Sequence, residues 1–329
     1  MSRSRWALLA LTATTPLGVT AGCGSVSERG DGSAGASADA GGLDAGGADA
    51  AAGDASPARC DPTAPFGAPV AVAGLNSQSS DESARLSPDE LTVTFSSDRP
   101  DGLGAFDLYI ATRAGREDDF GEPRLIAGAS AATDERNPTI TGDGLFLYAS
   151  TQPNGDIDIS SSRRDDTSAS FGPLEPVVEL NTASTDVSPY VLPDHGAVYF
   201  ASDRDGDFDL YRATRNGDGF DEPVLVAGTN LAAPGIEGDA VLTPDELNLY
   251  FSSDRNGAGV VQVFTATRRS VAEGFGEPVE IPEVDVSGND FVWPTWISAD
   301  NCALYLTTTP LPGDFDTEHF EIYAAVRGR

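Results

Sequence analysis

The chain has 329 residues and carries 52 acidic residues against 20 basic ones, a formal net charge of −32. Such an acidic surface repels phosphate, which argues against a nucleic-acid-binding protein and against adhesion to anionic lipid through a basic patch. Every basic residue is arginine, and the lack of lysine excludes Schiff-base chemistry and a P-loop. The two histidines, His195 and His319, leave little room for a His-rich metal site or a histidine-based triad.

The first 22 residues predict a signal peptide. Arg3 and Arg5 precede an apolar run, residues 6–17, that is too short for a permanent membrane span. The next segment, Thr20-Ala21-Gly22-Cys23, resembles the lipobox of bacterial lipoproteins. The resemblance implies cleavage before Cys23 and its acylation, which holds a protein to a membrane without a spanning helix. A plain secretory signal with an incidental cysteine is the alternative.

The residue after the cysteine bears on the destination of such a lipoprotein. Gly24 stands where an aspartate retains lipoproteins of enterobacteria at the inner membrane. The resemblance therefore implies a lipid-anchored protein of the outer membrane.

Residues 23–61 predict a disordered linker rich in Ala, Gly and Asp. The stretch has no aromatic residue, and its only large aliphatic side chains are Val26 and Leu43. It cannot bury enough apolar surface to offset the loss of chain entropy on folding. We expect a flexible tether between the anchor and the rest of the chain.

From residue 62 onward the chain repeats itself. One predicted strand recurs 51 to 55 residues apart, around Phe95, Tyr148, Phe200, Phe251 and Leu306. A second follows it at 106–113, 157–163, 208–215, 261–268 and 320–327, and a segment of the Phe-Gly-Glu-Pro type begins at Phe120, Phe171, Phe220 and Phe275. Apolar and polar residues alternate in these segments, as in β-strands. A repeat of this length with four short strands is typical of a propeller blade.

The two ends of the repeated region complement each other. The fifth repeat stops at Val326, before any Phe-Gly-Glu-Pro strand, and that strand stands at the start instead, as 66–70. Pairing of the two ends would close the ring and remove free strand edges. The sequence therefore predicts an all-β, five-bladed propeller of four-stranded antiparallel blades over residues 62–329.

Two turn motifs recur in register with the strands. Leu-Ser-Pro-Asp-Glu at 86–90 returns as Leu-Thr-Pro-Asp-Glu at 242–246, and Ser-Asp-Arg occurs at 97–99, 202–204 and 253–255. Together they resemble the WD40-like repeat of TolB-type propellers. The resemblance implies an extracytoplasmic propeller that is used mainly for protein binding.

Two cysteines remain once Cys23 is assigned to lipidation. Cys60 precedes the N-terminal strand, and Cys302 begins the second strand of the last blade, so both fall at the same end of that blade. In an oxidising compartment we expect a Cys60–Cys302 disulfide that closes the ring. Two unpaired buried thiols are the alternative.

A carboxylate opens the predicted innermost strand in four blades. The set is Asp81, Glu135, Asp186 and Glu237; Val292 replaces it in the fifth blade, with Asp290 nearby. These positions would surround one mouth of the central channel, where carboxylates can bind a cation or a basic peptide; hydrogen bonding between neighbouring strands is the alternative.

Aromatic residues on the same strands extend this predicted ligand-binding site. They are Tyr190, Trp293 and Trp296. Acidic and aromatic side chains together suit a peptide or a sugar, whereas packing between blades is the alternative for the aromatic rings.

A run of alternating aspartates is the one candidate for a metal ion. Asp203, Asp205, Asp207 and Asp209 resemble a calcium loop, because hard cations prefer clustered oxygens. The full twelve-residue pattern with its terminal glutamate is absent. Calcium is thus the sole cofactor considered, and a solvated hairpin tip is the alternative.

These observations predict a monomeric, lipid-anchored, extracytoplasmic propeller that binds an envelope protein or peptide and is not an enzyme. The alternative is a carbohydrate-binding or glycoside-cleaving propeller, because glycosidases use paired Asp or Glu residues. The sequence has no serine elbow, His-Glu metal motif or Gly-rich phosphate loop.

Overall fold

A computed structural model describes residues 59–152, 156–231, 235–257, 260–285, 291–308 and 319–329. The predicted signal peptide, Cys23, the linker before Arg59 and Asp290 lie outside these ranges. Within them the only helix is a single 3₁₀ turn, Pro282–Val284, and the remaining regular structure is β-strand. The described ranges contain no helix that could span a membrane.

Five antiparallel sheets follow one another along the chain, and each has the same four positions, which we call inner, second, third and outer strand. The inner strands are Asp81–Leu86, Glu135–Ile140, Asp186–Val191, Glu237–Leu242 and Val292–Ile297. The second strands are Thr92–Ser97, Phe146–Thr151, Ala197–Ser202, Asn248–Ser253 and Ala303–Thr308. The third strands are Asp107–Thr112, Asp158–Arg163, Asp209–Asn216, Gln262–Thr267 and Glu321–Val326.

The outer strands are short and close each sheet at its edge. Those of blades one to four are Arg124–Leu125, Glu175–Pro176, Val224–Leu225 and Val279–Glu280, and Gly219–Phe220 adds a small hairpin to blade three. The outer strand of blade five is Val70–Ala71, which comes from the other end of the chain and pairs with Glu321–Val326. The prediction of a five-bladed propeller closed by its N-terminal strand is confirmed.

The ring closure is reinforced by a disulfide. Cys60 and Cys302 are bonded, with their Cα atoms 5.8 Å apart, as the sequence predicts. Arg59, which falls inside the predicted linker, bonds to Glu90 at 2.7 Å and to Asp300 at 2.8 Å. The last residues of that linker, 59–61, therefore belong to the propeller rather than to the tether.

The core lies between the blades. The second strands are buried on both faces, and their aromatic residues Phe95, Phe200 and Phe251 are completely buried. At the far end of each third strand an arginine stacks on the phenylalanine of the Phe-Gly-Glu-Pro segment, as Arg113 does on Phe120 with 4.5 Å between guanidinium carbon and ring centre. The repeated Phe and Arg positions of the sequence are thus explained by packing.

Candidate functional site in the central channel

The carboxylates that open the inner strands are held by bonds within the fold. One oxygen of Asp81 accepts hydrogen bonds from the backbone N–H and the hydroxyl of Ser77, and the other accepts from Arg99 at 2.5 Å. Asp186 repeats this arrangement with Thr182 and with Arg204, at 2.6 Å. Both aspartates are fully buried.

Glu135 and Glu237 occupy the same position in blades two and four. Glu135 accepts from the backbone N–H of Ala131 at 3.0 Å and from the Thr133 hydroxyl. Glu237 accepts from Leu231 N–H at 3.0 Å and from the Ser253 hydroxyl at 2.8 Å. Of the four predicted carboxylates, only Glu237 lines the channel cavity described next, so the expectation that all four converge on the mouth is corrected.

A β-bulge explains which residues turn into the channel instead. In blades one to four the pairing of inner and second strands shifts after the second residue of the inner strand. The third residue has a positive φ, which only a few non-glycine residues adopt. These residues are Ser83 (60°), Asn137 (54°), Ser188 (57°) and Asp239 (49°).

The bulged segments enclose a cavity of about 120 Å³ at the end of the channel where the inner strands begin, which we call the first mouth. All five blades contribute to its wall. The polar part of the lining contains Glu82, Ser83, Arg136, Asn137, Ser188, Glu237, Asp239 and Ser252, and its aromatic part contains Phe208, Phe291, Trp293 and Phe320.

Glu82 and Arg136 form an ion pair between blades one and two, at 3.1 Å. Arg136 also bonds to Asp134 at 2.9 Å and lies over the ring of Phe106. Glu82 is only 4% exposed. Burial raises the pKa of the Glu82 carboxyl to about 7, although the nearby Arg136 opposes the shift.

Asp239 is the second carboxylate on the wall of this cavity. Its two oxygens accept hydrogen bonds from Ser188 at 2.8 Å and from Ser252 at 2.9 Å. Burial raises the pKa of Asp239, and these two bonds and the charge of Arg85 oppose the shift. Nearby, Asn137 donates to Ser83 at 2.9 Å, whereas its Oδ1 has no partner among the described residues.

The predicted aromatic residues divide between the two ends of the channel. Trp293 lines the first mouth and packs edge-on against Phe320, with ring centres 5.1 Å apart. Tyr190 and Trp296 line a separate cavity at the opposite end, which we call the second mouth. The hydroxyl of Tyr190 donates to the backbone oxygen of Leu242 at 2.8 Å.

The four aspartates of the calcium candidate each have a different environment. Asp203 accepts from Thr185 N–H, Asp205 from the Tyr211 hydroxyl and Asp207 from Gly235 N–H. Burial and the neighbouring carboxylates raise the pKa of Asp209 to about 6. Among the described residues, no three acidic, histidine or cysteine side chains are grouped so as to hold a metal ion. Calcium binding stays a prediction.

Sequence reasoning missed the residues next to those it selected. Glu82 and Arg136 follow the predicted carboxylates by one position, and Asn137 and Asp239 by two. The available signal was the further charged and amide side chains, such as Glu82 and Asn137, that directly follow the opening carboxylates. The bulge that turns two consecutive residues toward the channel leaves no comparable mark in the sequence.

No family model matches the chain, and no curated protein matches it. Solved structures do. TolB from Acinetobacter baumannii is 16% identical, with a TM-score of 0.47 over 78% of this chain and 57% of that one. An α-L-arabinofuranosidase from Podospora anserina is 13% identical, with a TM-score of 0.50 over 82% of this chain and 98% of its own.

A family 117 glycoside hydrolase from Zobellia galactanivorans is also similar, at 10% identity, with a TM-score of 0.53 over 80% of this chain and 90% of that one. TolB and glycoside hydrolases therefore both occur among the similar structures. At these identities the likeness establishes the propeller fold and assigns no activity to this chain.

Proposed function

We propose that this chain is a lipid-anchored, extracytoplasmic binding propeller that recognises a basic side chain of an envelope protein at the first mouth. The observation that carries the proposal is the composition of the cavity there. Three carboxylates, Glu82, Glu237 and Asp239, line it together with four aromatic rings, and Arg136 is the one cation of the lining. Carboxylates and aromatic faces both attract a guanidinium or ammonium group.

The size of the cavity favours a side chain over a whole small molecule. Its volume of about 120 Å³ is well below the roughly 300–1,000 Å³ of typical small-molecule sites. A cavity of this size is sufficient for the guanidinium or ammonium group at the end of an arginine or lysine side chain. The net charge of −32 would also steer a basic partner toward the propeller.

The cellular location is inferred from two features. The Cys60–Cys302 disulfide is typical of proteins in an oxidising compartment. The lipobox-like segment before Cys23 supports anchoring through acyl chains, with the 23–58 segment as a tether. In this arrangement the propeller would meet partners at the membrane surface as a monomer, and it would not bind nucleic acid.

Crosslinking in living cells, followed by purification of the tagged protein, tests the proposal. We expect one dominant protein partner, which is lost in Asp239→Asn. This substitution keeps the shape of the side chain and can still bond to one of the two serines. Glu122→Gln, at an exposed position, changes the net charge equally and serves as the control. A partner retained equally by both variants would contradict a site at the first mouth.

One observation favours a second candidate function, glycoside cleavage. A general acid must hold its proton near the working pH, and burial raises the pKa of Glu82 to about 7. Its ion pair with Arg136 and the small cavity count against a sugar ring in this position. Turnover of aryl glycosides and glycans by the full chain, abolished in Glu82→Gln, would favour this candidate over protein binding.

A further inference from the structure

Four of the five junctions between neighbouring blades share a tyrosine contact, and the exception is the junction between blades one and two. The tyrosine lies on the second strand of one blade and reaches the turn between inner and second strand of the next. Tyr148 meets His195 at 2.7 Å, Tyr199 meets Glu246 at 2.5 Å, and Tyr250 meets Asn301 at 2.6 Å. At the last junction Tyr305 lies beside Glu90 and bonds to Arg113.

An arginine from the next blade completes each contact. Arg215, Arg268 and Arg327 donate to the hydroxyls of Tyr148, Tyr199 and Tyr250 at 3.3, 2.9 and 2.9 Å. These arginines occupy the same position at the end of the third strand. Each of the four junctions therefore encloses a phenol ring whose oxygen is bonded to a guanidinium group.

The junction between blades one and two lacks both halves of this contact. The strand register places Thr94 opposite Arg85, as it places Tyr148 opposite Thr139 and Tyr199 opposite Tyr190. Thr94 thus occupies the tyrosine position. In the facing turn, Gly144 with φ of 74° occupies the position held elsewhere by Glu90, His195, Glu246 and Asn301, whose φ angles are 58° to 65°.

A cavity of about 690 Å³ lies at this junction. Thr94, Gly144 and Ile110 contribute to its wall, and it continues to Tyr190 and Trp296 at the second mouth. Its volume falls within the roughly 300–1,000 Å³ of small-molecule sites. Thr94 and Gly144 account for the position of the cavity. Thr94 stands where the other four junctions have a tyrosine, and Gly144 stands where they have the turn residue that faces the tyrosine.

The arginine of this junction is still in place. Arg164 lies over Phe171, with 4.4 Å between guanidinium carbon and ring centre, and donates to the backbone oxygens of Gly144 at 2.7 Å and Ala169 at 3.1 Å. It lines the cavity. Its counterparts bond to a tyrosine hydroxyl in addition, and the short side chain of Thr94 supplies no phenol oxygen for that bond.

We propose that this cavity binds a phenol group, with the ring between Thr94 and Gly144 and its oxygen accepting a hydrogen bond from Arg164. The phenol belongs either to a free phenolic compound or to a tyrosine side chain of a partner. The four filled junctions show that the blades accommodate this ring and bond to its oxygen. The site lies away from the first mouth and does not depend on the function proposed there.

The test uses p-cresol, the side-chain analogue of tyrosine, added to the full chain and followed by ligand-detected NMR. We expect saturable binding that is weaker for toluene, which has the same shape but no oxygen. Thr94→Tyr supplies the ring from within the chain and should weaken p-cresol binding at least tenfold. Thr94→Val, which keeps the cavity open, should retain it. Thermal unfolding of both variants establishes that they are folded.

Amide shifts of the unsubstituted chain give a result that needs no variant. We expect p-cresol to perturb Gly144 and Thr94 more than residues of the other four junctions. Binding of N-acetyltyrosinamide as well as p-cresol would identify a tyrosine side chain as the occupant, and binding of p-cresol alone would identify a free phenolic compound. No saturable binding, or equal binding by Thr94→Tyr, would overturn the proposal.

Discussion

Arg85, on the inner strand of blade one, donates a hydrogen bond to the backbone oxygen of Pro189, on the inner strand of blade three. Because these blades are not neighbours, the side chain crosses the central channel. It is only 5% exposed and also lies over the ring of Tyr190. The crossing separates the first mouth, with Asp239 and Trp293, from the cavity at the second mouth.

Arg85→Met should remove the side chain that crosses the central channel and should destabilise the ring. The carbonyl of Pro189 would lose a buried donor, which costs about 1–3 kcal/mol in free energy of unfolding. Urea unfolding measures the loss, with the exposed Arg124→Met as the control. An unchanged urea midpoint would show that the crossing contributes nothing to stability.

The stability of the wild-type protein should depend on pH through Glu82. The pKa of this carboxyl rises from an ordinary value of 4.5 to about 7 on folding, so the folded state holds the proton more tightly. The contribution of this proton to the free energy of unfolding is fully present below about pH 4.5 and is lost as the pH rises through 7. The difference between the two pKa values corresponds to at most about 3 kcal/mol.

Glu82→Gln carries no such proton and supplies the comparison. The urea midpoint of the wild-type protein should fall relative to that of Glu82→Gln as the pH increases from 5 to 8. Parallel pH dependence of the two proteins would show that the carboxyl titrates at its ordinary pKa.

Loss of the disulfide should destabilise the closed ring strongly. Cys60 and Cys302 are 242 residues apart, and in the chain-entropy description a loop of this length corresponds to about 5 kcal/mol. Cys302→Ser should therefore lower the urea midpoint, and a reducing agent should lower it in the wild-type protein alone. A reducing agent without effect on the wild-type protein would mean that the bond does not constrain the ring.

Cys23→Ala separates anchoring from folding. The substitution removes the predicted acylation site, so the protein should move from the membrane fraction to the soluble extracytoplasmic fraction and should no longer incorporate labelled palmitate. The urea midpoint of the propeller should stay the same. Palmitate incorporation that persists in Cys23→Ala would place the lipid on another residue or exclude this anchor.

The repeat carries most of the information about the fold. The periodic strands predict the blades, the displaced segment at 66–70 predicts the ring closure, and the positions of Cys60 and Cys302 predict the disulfide. Each depends on alternation or spacing, which a sequence displays directly. The site is different, because a bulge at Ser83 and its equivalents determines which side chains face the channel.

The cavity at the junction between blades one and two is a second feature that the sequence did not predict. Thr94 and Gly144 are unremarkable alone, and they gain meaning only when strand register aligns them with tyrosine and turn positions in the other blades. Asp81 and Asp186, in contrast, stand out in the sequence but have a structural role. Their regular recurrence suggested a ligand site, whereas their partners Arg99 and Arg204 recur with them and hold the strands together.

A fluorescence titration tests the central claim, that the first mouth accepts a cationic side chain, most directly. In a Trp296→Phe variant, Trp293 is the one tryptophan of the propeller, and it lines the first mouth. A short arginine peptide should change its emission saturably, and the same peptide with citrulline, the neutral analogue of arginine, should not. Asp239→Asn should abolish the change. An equal response to citrulline, or none to arginine, would contradict the account.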